Sequence, residues 1–305
     1  MQGKEETYKL IGRVMDALVI LPWAGNIKGF ESEGPIYELA RYTTNDWLTD
    51  VHESQMLDLL RKKVRQTPGG FKIEIENTYF YGFLQKAYKT CQTKEYEEDK
   101  YFIHAHEIGH ALSSGLRRQV AFLVNINDNH WVAVILDFVH DLILLGDSLD
   151  QNKHVMKDIL EWWTKHHSGR QFTVQPLAIT CQQDIFSCGL LSFNALAHHF
   201  LPGLYPLVDA MLVANGRLEM MLEVIEQHLD QVHTPLLLSD LLIINKPRVL
   251  NQSAKTSNLH SRRKPLTPQR TTPKLPMPHP SLTQVIVRMT HLMPLMTTQE
   301  ISNLI

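Results

Sequence analysis

The stretch Gln182-Gln183-Asp184-Ile185-Phe186-Ser187-Cys188-Gly189-Leu190-Leu191-Ser192-Phe193 changes character at its cysteine. Up to Ser187 it is polar and turn-like. From Leu190 to Phe200 it is strongly apolar and long enough for a helix. Cys188 is therefore predicted at a helix N-terminus, where unpaired N–H groups and the helix dipole favour a thiolate. Gly189 lets backbone approach closely. A free cysteine is by default a small buried hydrophobe, so the thiol needs partners before chemistry can be assigned to it.

Three candidate partners lie upstream in order. His130 follows the polar loop Asn127-Asp128-Asn129 and opens the apolar run Trp131–Phe138, which places an imidazole at a strand end. Asp147 follows the apolar strand Leu142–Leu145, 17 positions after His130. If the two strands are neighbours, both side chains emerge at one end of a sheet, and the carboxylate can hold the imidazole tautomer. Gln182, six positions before Cys188, carries a neutral amide donor. With the Cys188 N–H it could stabilise a tetrahedral oxyanion. Nucleophile, base, orienting acid and oxyanion donor are the parts of a thiol peptidase, which needs no cofactor.

The segments around these residues predict the scaffold. Residues 8–21 and a pattern opened by Trp47 space apolar groups helically, and 22–45 are irregular. Pro68-Gly69-Gly70 is a turn, Phe71–Glu76 a half-exposed strand, and 78–93 a helix. Residues 94–101 are charged and predicted as surface loop. Gln119–Ile126, Trp131–Phe138 and Leu142–Leu145 are strands apolar on both faces, hence central in a sheet. A helix over 152–166, a strand Phe172–Leu177, a long helix over 217–232 and a short apolar segment at 235–245 follow. Helices and strands mixed in this way predict an α+β fold with a central mixed sheet.

The four-residue pattern resembles the ubiquitin-like protein proteases, the SUMO proteases and their relatives. The resemblance rests on His130-Trp131, on Asp147-Ser148-Leu149, and on Gln182-x-Asp184-x-x-Ser187-Cys188-Gly189. The block Trp47-Leu48-Thr49-Asp50 before a helix is similar to that family's Trp-Leu-Asn-Asp element. The match spans roughly residues 41–205, and the order His, Asp, Gln, Cys separates it from papain, where cysteine comes first. The resemblance implies a papain-like fold with the nucleophile helix packed on the sheet. It implies Cys188 as nucleophile, His130 as base, Asp147 as orienting acid and Gln182 as oxyanion donor. Trp47 and Trp131 would flank a tunnel that admits only a diglycine tail, and Asp50 would help dock the substrate protein. The implied reaction is cleavage after the C-terminal diglycine of a ubiquitin-like modifier, with that modifier or its conjugates as partner. Many members carry Asp before the cysteine, where this chain has Ser187. The overall flavour is that of divergent fungal members.

Two other readings stay open. His106-Glu107-Ile108-Gly109-His110 matches the HExxH helix of zinc metallopeptidases, with both imidazoles on one face and Glu107 placed to activate water. The extended form would need Gly and His where Ser113 and Leu116 stand. The second alternative is an inert module of the same fold that binds a ubiquitin-like protein. Thiol alkylation would stop only the cysteine enzyme and a chelator only the zinc enzyme.

Bulk properties constrain the setting. The chain has 305 residues, 44% hydrophobic and 20% charged, as an ordinary globular protein does. Its net charge of −2 is uneven: residues 251–298 hold seven Lys/Arg and no acid, while 1–250 carry 23 basic and 31 acidic residues. Three cysteines without a CxxC pair suggest a reducing compartment rather than a disulfide framework. The run Ala17–Gly25 is too short to span a membrane and lacks a basic lead, so a membrane or secretory role is not expected. The expected location is nucleus or cytoplasm. Six prolines with many Ser and Thr over 251–283 predict a disordered basic linker, not a nucleic-acid contact. The expected organisation is an N-terminal extension (1–40), a catalytic domain (41–250), the linker (251–283) and a short terminal segment (284–305).

Overall fold

The computed structural model of the chain describes residues 2–91, 93–150 and 156–244, with side chains of the last helix as far as residue 232. The expected linker and terminal segment lie outside the described residues. The helices are α1 Gln2–Val19, α2 Asp50–Arg65, α3 Phe80–Lys89, α4 Glu95–Glu98, α5 Ile103–Ser113, α6 Lys157–Ser168, α7 Cys188–Phe200 and α8 Val213–Ile244. The strands are β1 Ile73–Ile75, β2 Gln119–Ile126, β3 His130–Asp137, β4 Leu142–Gly146 and β5 Thr173–Pro176.

Strand order follows chain order. The β1–β2 and β4–β5 pairs are parallel, and β3 runs antiparallel to both its neighbours. The mixed central sheet expected from sequence is therefore present, with β3 in the middle and all eight of its residues buried. Alternation divides β3 between two cores. Trp131, Ala133 and Ile135 face a core built with α1, α2, α7 and α8. Val132, Val134 and Leu136 face a second core built with α3, α5 and α6. The hairpin that ends at His130 is a tight one: Asn127 (φ 53°) and Asp128 (φ 56°) occupy the left-handed region and Asn129 N–H donates to Ile126 O at 3.2 Å. Asn and Asp tolerate that geometry better than other non-glycine residues, so the polar loop fixes the register that sets His130 opposite Ile126.

The N-terminal segment is part of the same body. Leu10, Ile11, Val14 and Leu18 of α1 are buried against α8 in the core that also holds Cys188. Arg217 of α8 is buried too. It donates to the carbonyls of Arg41 (2.6 Å), Tyr42 (3.2 Å) and Asp46 (2.8 Å), which anchors the chain just before Trp47.

Several local expectations change. The strand predicted at Phe71–Glu76 shrinks to Ile73–Ile75. It is not half-exposed, because its outward carboxylates are covered by partners: Glu74 by Arg65 and Arg117, Glu76 by His104. The predicted loop 94–101 contains α4 and a 3-10 turn, organised around the buried ring of Tyr96. The apolar segment at 235–245 continues α8 as far as Ile244. The irregular region 22–45 holds a 3-10 helix, Ile36–Thr43, whose buried Leu39 and Tyr42 pack into the nucleophile-side core.

Candidate active site

Cys188 is the first residue of α7 and is buried. The turn before it is held by a residue whose role the sequence reading missed. Asp184 accepts from the backbone N–H of Phe186 (2.9 Å) and Ser187 (2.8 Å), and from the Ser187 hydroxyl. A carboxylate before a helix start satisfies donors that would otherwise be orphaned and suits the dipole. The signal was the Asp184-x-x-Ser187 spacing, a turn motif in its own right. It also explains why Ser187 is tolerated before the cysteine: its hydroxyl is a partner of Asp184.

His130 opens β3 and Asp147 follows β4, and the two strands are paired. Their side chains meet as expected: His130 Nε2 lies 2.7 Å from Asp147 Oδ1, with both residues buried. Leu149 N–H donates to the same carboxylate oxygen at 3.0 Å. A carboxylate only accepts, so the neutral imidazole carries its proton on Nε2 and leaves Nδ1 as the base. Among the described residues the thiol has no hydrogen bond to the imidazole. It lies instead at the backbone N–H of Trp131, the residue after His130. Burial pushes the Cys188 thiol up and the charge of Glu53 adds to the rise. The N–H groups of Trp131, Gly189 and Cys188 itself pull the other way.

Gln182 sits at the mouth of the same turn. Its Oε1 accepts from Ser148 Oγ at 3.0 Å, its Nε2 donates to Asp184 O at 2.8 Å, and its backbone N–H donates to Ser148 O at 2.9 Å. Ser148 follows Asp147, so Gln182 and Asp147 are fastened to one turn. Trp131 is buried and its indole donates to Leu48 O at 3.3 Å. Trp47 is 43% exposed and its indole donates to Ile185 O, in the cysteine turn. The two indoles thus tie segment 47–48 to both sides of Cys188. Asp50 heads α2 beside them; partial burial and Asp128 of the hairpin raise its carboxyl.

The HExxH residues lie on α5, which packs on α6, in the layer across the sheet from Cys188. His106 Nε2 is 2.7 Å from Tyr96 O and its ring stacks on Tyr96 at 4.0 Å, while Glu107 and His110 are exposed. Gly109 packs against the His167 ring. No described His, Cys, Asp or Glu joins His106 and His110 in a ligand set. The motif is a stretch of packing helix, and the zinc alternative loses its geometric basis. No described helix is long and apolar enough to cross a membrane.

An open mixed sheet with a cysteine-headed helix packed against its central strand is the papain-like arrangement of thiol proteases. No protein-family model and no curated protein matches the chain. Solved structures do. The SUMO protease Ulp1 with its catalytic cysteine oxidised to a sulfonic acid aligns with a TM-score of 0.55 and 16% identity, over 72% of this chain and 94% of that one. The yeast Ulp1 protease domain in complex with Smt3 gives 0.51 and 17%, over 72% and 95%. The Ulp1-like SUMO protease catalytic domain of Chaetomium thermophilum gives 0.53 and 13%, over 72% and 89%. The chain has the fold of these Ulp1-type SUMO proteases, at 13% to 17% sequence identity.

Proposed function

We propose that the chain is a cysteine peptidase or isopeptidase that cleaves after the C-terminal diglycine of a ubiquitin-like modifier of SUMO type, in the nucleus or cytoplasm. The observation that carries this reading is the buried His130–Asp147 pair at 2.7 Å, in a protease fold where Cys188 heads a helix and lies at the backbone N–H of Trp131, the residue after His130.

The chemistry follows from the placement. Nδ1 of His130 takes the Cys188 proton while Asp147 holds the resulting imidazolium. The thiolate attacks the glycine carbonyl to form an S–C bond. The Cys188 N–H, at the N-terminus of α7, and the Gln182 amide hold the oxyanion. His130 returns its proton to the leaving amine as the C–N bond breaks. Water, activated by the same imidazole, then releases the modifier and restores the thiol. The indoles of Trp47 and Trp131 would line the entry, where a diglycine passes because it has no Cβ.

The test is reaction with a panel of ubiquitin-like proteins bearing C-terminal thiol-reactive electrophiles, read by intact mass and peptide mapping. The reading expects one adduct, at Cys188, lost in His130→Ala. Full cleavage of conjugates by a Cys188→Ser variant would overturn it.

A further inference from the structure

One group in this region has no part in the mechanism above. Glu53 lies on α2, is completely buried, and neither carboxyl oxygen has a hydrogen-bond partner among the described residues. A lone buried carboxylate is very costly, so such a group is expected to be neutral or to serve a purpose. Its position is specific. A Cβ built on Gly189 would collide with Glu53 Oε1, and would lie 3.3 Å from Trp131 Cδ1. The carboxyl therefore packs against Gly189, the residue after Cys188, in space that a larger side chain would take only by displacing it.

The charged and titratable groups facing Glu53 come from every element around it. Arg217 approaches from α8, Tyr42 from the 3-10 helix Ile36–Thr43, Cys188 from α7, and Asp50 from its own helix. Arg217 is not its salt-bridge partner. The Arg217 Nε and Nη2 donate to the carbonyls of Arg41, Tyr42 and Asp46, its Nη1 has no partner among the described residues, and it lies over the Phe186 ring at 5.7 Å and also feels Asp46 and Asp184.

Resting on the thiol-protease reading, we propose that Glu53 is a positioning residue for the nucleophile: its neutral carboxyl seats Gly189 beneath the thiol, and its negative charge, when present, opposes the thiolate. Activity then has an alkaline restraint that belongs to no member of the triad. Burial pushes the Glu53 carboxyl up to about 8, with Arg217 pulling it down and Asp50 adding to the rise. The restraint therefore sets in just above neutrality.

The full-length protein tests this through the rate of Cys188 alkylation by iodoacetamide from pH 5 to 10, followed by peptide mapping in wild type and Glu53→Gln. Glutamine keeps the shape and removes the charge. The Cys188 labelling midpoint should fall by about one pH unit in the variant, or ~tenfold in rate on the rising limb. Glu53→Met, of similar length and also uncharged, should shift it the same way, which covers a glutamine that folds poorly. Thermal unfolding adds a second readout. The wild type should lose melting temperature relative to Glu53→Gln between pH 5 and 8, because folding must return to Glu53 a proton that the unfolded chain has already lost. Superposed labelling profiles, with Cys188 the fast thiol in each, would overturn the role of Glu53 and leave the protease reading standing. A Cys188 that labels no faster than exposed Cys181 in any form would overturn the protease reading itself, and this proposal with it.

Discussion

The two faces of the sheet are packed to different rules. On the face away from Cys188, rings interlock: Phe80 meets Phe122 at 5.1 Å and Trp163 at 5.9 Å, and Phe138 meets Phe172 at 4.9 Å. Its buried polar atoms find each other, since the Trp163 indole donates to Tyr96 Oη at 3.0 Å and that oxygen also bonds His167 Nε2 at 2.9 Å. On the nucleophile face Glu53, Tyr42, Arg217 and Asn125 each bury a polar atom with no partner among the described residues. Buried orphans cost stability, so one face contributes the stability and the other spends part of it on electrostatics near a thiol.

This division predicts opposite outcomes for substitutions on the two faces. The largest effect is expected from Cys188→Ala or His130→Ala, which should cost about 10⁴-fold or more in turnover. Melting temperature should change little in Cys188→Ala, whereas His130→Ala also strands the buried Asp147 carboxylate and should lower it. Turnover of a modifier fusion and a thermal melt, measured on one preparation, check this. A large loss of stability in Cys188→Ala would break the contrast. Next comes Trp163→Ala on the aromatic face, which should cost ~3–5 kcal/mol of folding stability and strand the Tyr96 hydroxyl network. Activity per folded molecule should stay unchanged, and a denaturant titration alongside the turnover assay decides it.

The legible parts of the molecule are those where local pattern and tertiary environment agree. β2 was read to the residue because its apolar run matches its burial on both sides. His130 and Asp147 are legible as a pair on the condition that β3 and β4 are neighbours, because each flanks such a strand. Glu53 and Arg217 were not legible. Polar residues on α2 and α8 look like ordinary solvated positions, and only the packing of α8 against the 3-10 helix, and of Gly189 against α2, puts them inside. The HExxH motif shows the opposite failure: correct spacing on a real helix, but Tyr96 takes the His106 imidazole and no third ligand arrives among the described residues. Tyr96 itself was hidden in a charged stretch that reads as surface.

A middle-sized effect concerns the oxyanion. Gln182→Ala should reduce turnover by ~10²–10³ through the maximal rate rather than substrate affinity, because the amide acts on charge that develops only during reaction. Steady-state kinetics on a modifier substrate separate the two. An effect confined to apparent affinity would mean that Gln182, fastened as it is by Ser148 and Asp184, serves only to hold the turn.

The smallest effect sharpens the contrast through pH. His167, in the aromatic face, is pushed down to about 3 by burial and by its neighbours His166, His106 and His110. His52, at the start of α2, is pushed down to about 4 by burial against the pull of Glu38. Both are neutral in the folded protein at pH values where the unfolded chain is protonated, so they add stability above about pH 6.5 that is lost as pH falls. Glu53 has the opposite sign: its carboxyl is protonated in the fold and ionised in the unfolded chain between pH 4.5 and 8, so its contribution is lost as pH rises. Through His167 the aromatic face responds to acid, while His52 and Glu53 make the nucleophile-side face respond in both directions. His167→Gln should flatten the acid limb of the stability curve by up to ~1.4 kcal/mol per pH unit and leave the fall between pH 7 and 8 untouched. Denaturant midpoints at pH 4, 5, 6, 7 and 8 measure both limbs. An acid limb unchanged in His167→Gln would move that sensitivity to the other groups pushed down in the fold, His52, His199 and Asp137.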